Sequence, residues 1–283
     1  MKTVLACLLL AGAAFGALVC LMAPRRDRTR DWGLVASLGA VVALGAFVFF
    51  NIMEDVFEGD PSLAIDRMTY AAMTRLRGPG LDGVMTMVTE LGDAVVVTAV
   101  ALAVAAWLVY VRAWRTLRYW IAAIAGAAVI NTAIKVALHR PRPTNLYHHG
   151  WDAFSFPSGH STSNASLYGF LMLLLISQIK AAYRVPVVVA GLGLVAIIGF
   201  SRLYLGAHWL SDVAGGLVFA SAWVATLSLL YLRKAPEPLR ANVLALIAMA
   251  ALVIAGGVNI AVNDARDLKL YRASAYGAPV EVR

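Results

Sequence analysis

The chain has 283 residues, 61% of them hydrophobic and only 14% charged, with a mean hydropathy of +0.75. That apolar content exceeds what a water-soluble domain uses; long apolar runs with charges gathered between them read as transmembrane helices. The net charge of +8 then concerns orientation and anionic lipid, and no nucleic-acid partner is expected.

Residues 3–22 form the first apolar run. Arg25, Arg26, Arg28 and Arg30 follow, a flank that fits a retained span ending in the cytoplasm rather than a cleaved leader. Cys7 and Cys20 both lie on this run, about 20 Å apart on one helix, too far for a disulfide. A second span covers 33–53. Residues 54–93 carry Glu54, Asp55, Glu58, Asp60, Asp66, Asp82, Glu90 and Asp93 against three arginines, broken by Pro61 and Gly78-Pro79-Gly80. This segment reads as an outer spacer. Val84, Met87, Val88 and Leu91 recur at helical spacing, which suggests a short amphipathic helix lying at the interface. A substrate-guiding surface helix is the sharper alternative.

Further spans are expected at 94–111, 119–138, 158–179, 185–202, 208–232 and 241–262, with a polar tail to Arg283. The turns read as cytoplasmic hold Arg112, Arg115 and Arg118, then Lys180 and Arg184, then Arg233, Lys234 and Arg240, as the positive-inside rule requires. No internal repeat or soluble domain interrupts the series.

Three stretches at outer span ends carry the chemistry. The first is KVALHRPRP, Lys135 to Pro143. A lysine in an apolar helix is costly; it is either a snorkelling anchor or a functional group. Prolines then stop the helix and stiffen the segment that presents Arg140 and Arg142. The second is FPSGH, Phe156 to His160. Its serine can cap a helix start, and backbone N–H groups there form an anion site. The third is GFSRLYLGAHWLSD, Gly199 to Asp212. If the run from Trp209 is helical, His208 and Asp212, four apart, share a face. Asp212 can then orient one ring nitrogen and leave the other to attack. Together the stretches supply Lys135, Arg142 and Arg202 as cations, Ser158 and Gly159 as donors, and two imidazoles, which describes a phosphate site. All five histidines fall in this region with Asp152 and Asp212, and such residues can hold zinc. Three nearby cations would repel a metal, so no metal and no cofactor is expected. Tyr147, His148, His149, Trp151 and Asp152 would line the entrance or anchor at the interface.

The combination K-x6-RP (Lys135 to Pro143), PSGH (Pro157 to His160) and SR-x5-H-x3-D (Ser201 to Asp212) resembles the three-part signature of the type 2 phosphatidic acid phosphatase, or PAP2, superfamily. The resemblance implies an all-α, polytopic transmembrane bundle, with a six-helix core at about spans two to seven and one extra helix at each end. The organisation would be 1–31, an N-terminal helix and basic turn; 32–240, the catalytic core, with 54–93 as its outer segment; and 241–283, a C-terminal helix and tail. It implies His208 as nucleophile, Asp212 as its orienting carboxylate and His160 as acid and then base. Lys135, Arg142, Ser158, Gly159 and Arg202 would hold phosphate, with Arg140 and His149 as auxiliaries. The expected activity is hydrolysis of an amphiphilic phosphomonoester or diphosphate through a phosphohistidine. Undecaprenyl pyrophosphate, phosphatidylglycerol phosphate, phosphatidic acid and lipid A phosphate remain open, as does the oligomeric state. A lipid phosphotransferase using the same intermediate and a non-catalytic lipid transporter are the rival readings. The expected location is a bacterial inner membrane, with the site on the periplasmic face.

Overall fold

The computed structural model describes residues 32–59, 64–144 and 153–276. The first apolar run, and Tyr147, His148, His149, Trp151 and Asp152, lie outside the described residues.

The described residues form ten α-helices in order: α1 (Trp32–Glu58), α2 (Ala64–Leu76), α3 (Pro79–Leu91), α4 (Ala94–Tyr110), α5 (Trp114–Ile121), α6 (Ala127–Leu138), α7 (Gly159–Ile176), α8 (Ala181–Tyr204), α9 (Leu210–Tyr231) and α10 (Ala241–Tyr276). A π-helical turn, Ala122–Gly126, joins α5 to α6 in one rod. The wide turn accommodates Trp223, whose indole N–H donates to the Ala122 carbonyl at 3.2 Å. Among the described residues, six segments are long and apolar enough to cross a bilayer: α1, α3 with α4, α5 with α6, α8, α9 and α10.

The remaining long helix, α7, was expected as an ordinary span at 158–179. Its first half is Gly-His-Ser-Thr-Ser-Asn, too polar to face lipid. It packs against α8, α9 and α6 instead, with Ser161, Thr162, Asn164 and Ser166 buried beside Leu167, Phe170 and Leu174. Polar groups at membrane depth must find partners within the protein. Gly216 on α9 permits the closest approach, since a Cβ there would lie 2.9 Å from the Ser158 carbonyl oxygen. Against α9 on another side lies α1, through Leu34, Leu38, Val41, Gly45, Val48 and Phe49, a stripe at helical spacing.

Two expectations need correction. The segment 79–91 does not lie at the interface as a separate short amphipathic helix. Val84 and Met87 point outward, whereas Asp82, Thr86, Thr89 and Glu90 are buried. α3 instead runs on toward α4 as one membrane-crossing segment, with its polar face packed on α8 and α10. Nor does the last helix end near residue 262. α10 runs 36 residues, about 54 Å at 1.5 Å per residue, well beyond the ~30 Å hydrocarbon core. Its final turns return to α3: Arg272 donates to the Pro79 carbonyl at 2.7 Å, and Arg77 donates to the Tyr271 carbonyl at 3.1 Å.

Candidate active site

Lys135 occupies the last turn of α6. His139 closes that helix in the left-handed conformation, φ 50°, and its N–H donates to the Lys135 carbonyl at 3.1 Å. The Arg-Pro-Arg-Pro segment that follows cannot be helical, because its prolines lack the donor. It is pinned instead by neighbours. Ser155 N–H donates to the Arg140 carbonyl at 2.8 Å, and the Trp209 indole donates to the Pro141 carbonyl at 3.0 Å. The next stretch ends in Ser158, the N-cap of α7. The third runs off the end of α8 through a tight turn in which Gly206 has φ 70°, a conformation that favours glycine. There the N–H groups of Ala207 and His208 both donate to the Arg202 carbonyl, at 3.0 and 3.3 Å.

These pieces meet in a cleft of about 270 Å³, lined among others by Lys135, Arg142, Gly159, His160, Arg202 and His208. Its volume suits a phosphate or diphosphate rather than a lipid tail. Lys135, Arg202 and His208 are buried. The cleft's acid is Asp93, at the start of α4. Three cations around a small, polar, partly enclosed space make an anion site.

His208 and Asp212 are joined, but not by sharing a helical face. α9 starts at Leu210, so His208 precedes it. Asp212, the third helical residue, reaches back as a cap: it accepts from the Trp209 N–H at 2.8 Å and lies 3.3 Å from His208 Nδ1. The other ring nitrogen, Nε2, lies 3.1 Å from an Arg142 Nη. A guanidinium has no acceptor. Nε2 must therefore carry the lone pair, and Nδ1 the proton, which faces Asp212. Burial, with the Arg142, Lys135 and Arg202 cations, pushes the His208 imidazole well below its ordinary range. It is thus held neutral, with its lone pair turned toward the cleft.

Not every anticipated ligand lies in the cleft. Ser158 is fully buried, and its hydroxyl accepts from the N–H and the hydroxyl of Ser161. It caps α7, which orients Gly159 and His160. Arg140, anticipated as an auxiliary phosphate ligand, is committed elsewhere. One Nη donates to Asp212 at 2.5 Å and to Ser211 at 2.7 Å, the other to Asp66 at 2.7 Å. Ser155 also donates to Asp212. His149 lies outside the described residues.

Two contributors had no signal in the motifs. Asp66, on α2, accepts from Arg140 and from the Ser211 N–H at 2.9 Å. The outer segment is therefore no mere spacer, since it braces the carboxylate behind His208. Tyr271, on α10, accepts from an Arg202 Nη at 2.9 Å, and Thr89 accepts from the same nitrogen at 2.6 Å. Acidic content marked the first segment and Tyr271 and Tyr276 the second, but neither feature names its partner.

Fold and cleft together define a polytopic helical membrane protein with a histidine–carboxylate pair set in an anion site. The chain belongs to the PAP2 superfamily, whose family model matches residues 116–236. It is 36% identical over 148 residues to undecaprenyl-diphosphatase BcrC of Bacillus subtilis, covering 50% of this chain and 69% of that one. It is 28% identical over 176 residues to phosphatidylglycerophosphatase B of the same organism, covering 60% and 85%. A lipid A 1-phosphatase of Rhizobium johnstonii is 31% identical over 112 residues, 36% of this chain and 42% of that one. The fold is similar to the crystal structure of the transmembrane PAP2-type phosphatidylglycerolphosphate phosphatase from Bacillus subtilis, with a TM-score of 0.57 and 24% identity over 66% of this chain and 93% of that chain.

Proposed function

We propose that this protein is a metal-independent lipid phosphatase acting through a phosphohistidine. The observation that carries the reading is the His208 ring: Nδ1 on Asp212, Nε2 toward Arg142, and the cations Lys135 and Arg202 in the same cleft. In the first step the Nε2 lone pair attacks phosphorus in line. The bond from phosphorus to the bridging oxygen breaks, and His160, protonated while the bound dianion offsets Lys135, Arg142 and Arg202, supplies the proton to that oxygen. In the second step His160 takes a proton from water, which attacks phosphorus and releases His208. Asp212 stabilises the imidazolium in between, and the cations hold the equatorial oxygens, so that positioning and charge do most of the work.

The substrate is an amphiphile whose phosphate fills the cleft while its tail stays in the bilayer. Phosphatidylglycerol phosphate, an undecaprenyl diphosphate and a lipid A phosphate enter the panel through the relatives, and phosphatidic acid completes it. The site end of the helices is assigned to the periplasmic side of a bacterial inner membrane, because the opposite turns carry the arginines and lysines.

The test is phosphate release by detergent-purified protein in EDTA, with His208→Ala alongside. Release by wild type and none by the variant is the expected result, with an acid-labile phosphoprotein trapped at short times. Activity lost in EDTA and restored by a divalent metal would overturn metal independence. Release only on adding an acceptor lipid would make the protein a phosphotransferase.

A further inference from the structure

A second cleft, of about 460 Å³, opens between α5 and α9. Arg115 in its wall and Lys135 in the phosphate cleft stand at opposite ends of the α5–α6 rod, twenty residues and about 30 Å apart. Four cations line this second cleft: Arg115, Arg118, Arg233 and Lys234. Its apolar wall includes Leu227 and Leu230.

The protein balances these four charges only in part, through Glu237 beside Arg115. Thr116 holds Glu237 in place, donating to it from its N–H at 2.8 Å and its hydroxyl at 2.7 Å. Arg115 is fixed in place, its guanidinium 5.0 Å over the Tyr231 ring and bonded to the Ala235 carbonyl. The side chains of Arg118, Arg233 and Lys234 make no hydrogen bond or ion pair among the described residues. A cluster of cations with an aliphatic wall, at the end of membrane-crossing helices, matches a ligand that joins phosphate charge to hydrocarbon.

The geometry points to a binding site for an anionic phospholipid of the leaflet opposite the active site. Its phosphate sits among Arg118, Arg233 and Lys234, and its first acyl carbons lie along Leu227 and Leu230. Basic pockets between membrane helices recognise such head groups. The bland alternative is a diffuse positive flank that only sets orientation. The two differ in stoichiometry and in dependence on position.

The experiment is native mass spectrometry of the intact protein, exchanged into diphosphatidylglycerol, phosphatidylglycerol or phosphatidylcholine. The variant Arg118→Gln/Arg233→Gln removes two cleft charges. The control Arg112→Gln/Arg240→Gln removes two charges at the same end but outside the cleft. All four side chains are exposed, so both proteins are expected to fold. Wild type should retain about one anionic lipid per chain and no phosphatidylcholine. The cleft variant should lose roughly tenfold in retention, and the control less than twofold. Equal losses in the two variants, or equal retention of phosphatidylcholine, would overturn the site. Displacement of the lipid by millimolar inorganic phosphate would make it a free-phosphate site, which also overturns it.

Discussion

Tyr271 lies outside the matched family region, yet its hydroxyl accepts from the Arg202 guanidinium at 2.9 Å. Tyr271→Phe keeps the ring among Met85, Tyr204, Leu205 and Ala207 and removes that acceptor. A hydrogen bond to a charged group is worth about 1.5–3 kcal/mol. The same Arg202 nitrogen keeps Thr89 at 2.6 Å, so the lower end applies. A loss of about 1.4 kcal/mol is tenfold in an equilibrium constant. We therefore expect kcat/KM to fall about tenfold, mostly through KM, and the inhibition constant of orthovanadate to rise in parallel, because in the proposed mechanism Arg202 holds the anion before and during reaction. Thr89→Val alone should act similarly. The double variant should lose more than the product of the two, since it strips both acceptors from one buried nitrogen. Steady-state phosphate release and vanadate inhibition provide the assay, with thermal unfolding as the control. A kcat/KM within twofold of wild type, in a folded variant, would refute the claim that α10 positions the phosphate ligand.

Asp66→Asn keeps the shape of the side chain but removes the charge that Arg140 meets at 2.7 Å. Breaking a buried pair costs about 3–5 kcal/mol, so a marked drop in the unfolding midpoint and a lower kcat are expected by calorimetry and phosphate release. Gly92→Ala would place a Cβ 2.4 Å from Ile198 Cγ2 and 3.3 Å from the His160 ring. Overpacking costs about 1–3 kcal/mol, so turnover and stability should both fall, whereas Gly83→Ala, with nothing within 4 Å, should leave turnover unchanged. Because burial and the cations depress His208, its ring stays neutral through pH 6.5 and protonates only on further acidification. The acid limb of kcat/KM should thus lie well below pH 6.5, apart from ionisation of the substrate. Arg142→Gln removes one depressing cation and should move that limb upward; a limb fixed near 6.5 in both proteins would contradict this.

The motif residues were legible because their chemistry is local. Lys135 in an apolar helix, proline after Arg140 and glycine before His160 each restrict what the backbone or the charge can do. Helix positions were legible for the same reason, through long apolar runs such as 94–110. What was hidden is partnership at long range. Asp66 and Arg140 are 74 residues apart, and Arg202 and Tyr271 are 69 apart. No spacing rule connects such pairs. The direction of α3 was also hidden, because an amphipathic pattern alone does not say which face meets lipid and which meets protein.

The duplicated Arg-Pro shows how two similar side chains acquire different work. Arg140 and Arg142 leave the same stiff segment two residues apart, and each grips one end of the His208–Asp212 pair. Arg140 bonds Asp212 from behind, with Asp66 as counter-ion. Arg142 faces Nε2 and also donates to the Ala207 carbonyl at 2.9 Å. A carboxylate between Arg140 and His208 Nδ1 orients the ring at the expense of some basicity, because Arg140 neutralises part of its charge. In the proposed mechanism Arg142 compensates: when an anion binds, it turns its hydrogen bond from the ring to the phosphate and releases the lone pair for attack. Exchanging the two roles is not possible by a lysine, which lacks the planar fork. Arg140→Lys should therefore lower kcat while leaving KM near wild type, and Arg142→Lys should raise KM as well. If both substitutions gave the same split of kcat and KM, the division of labour between the two arginines would be wrong.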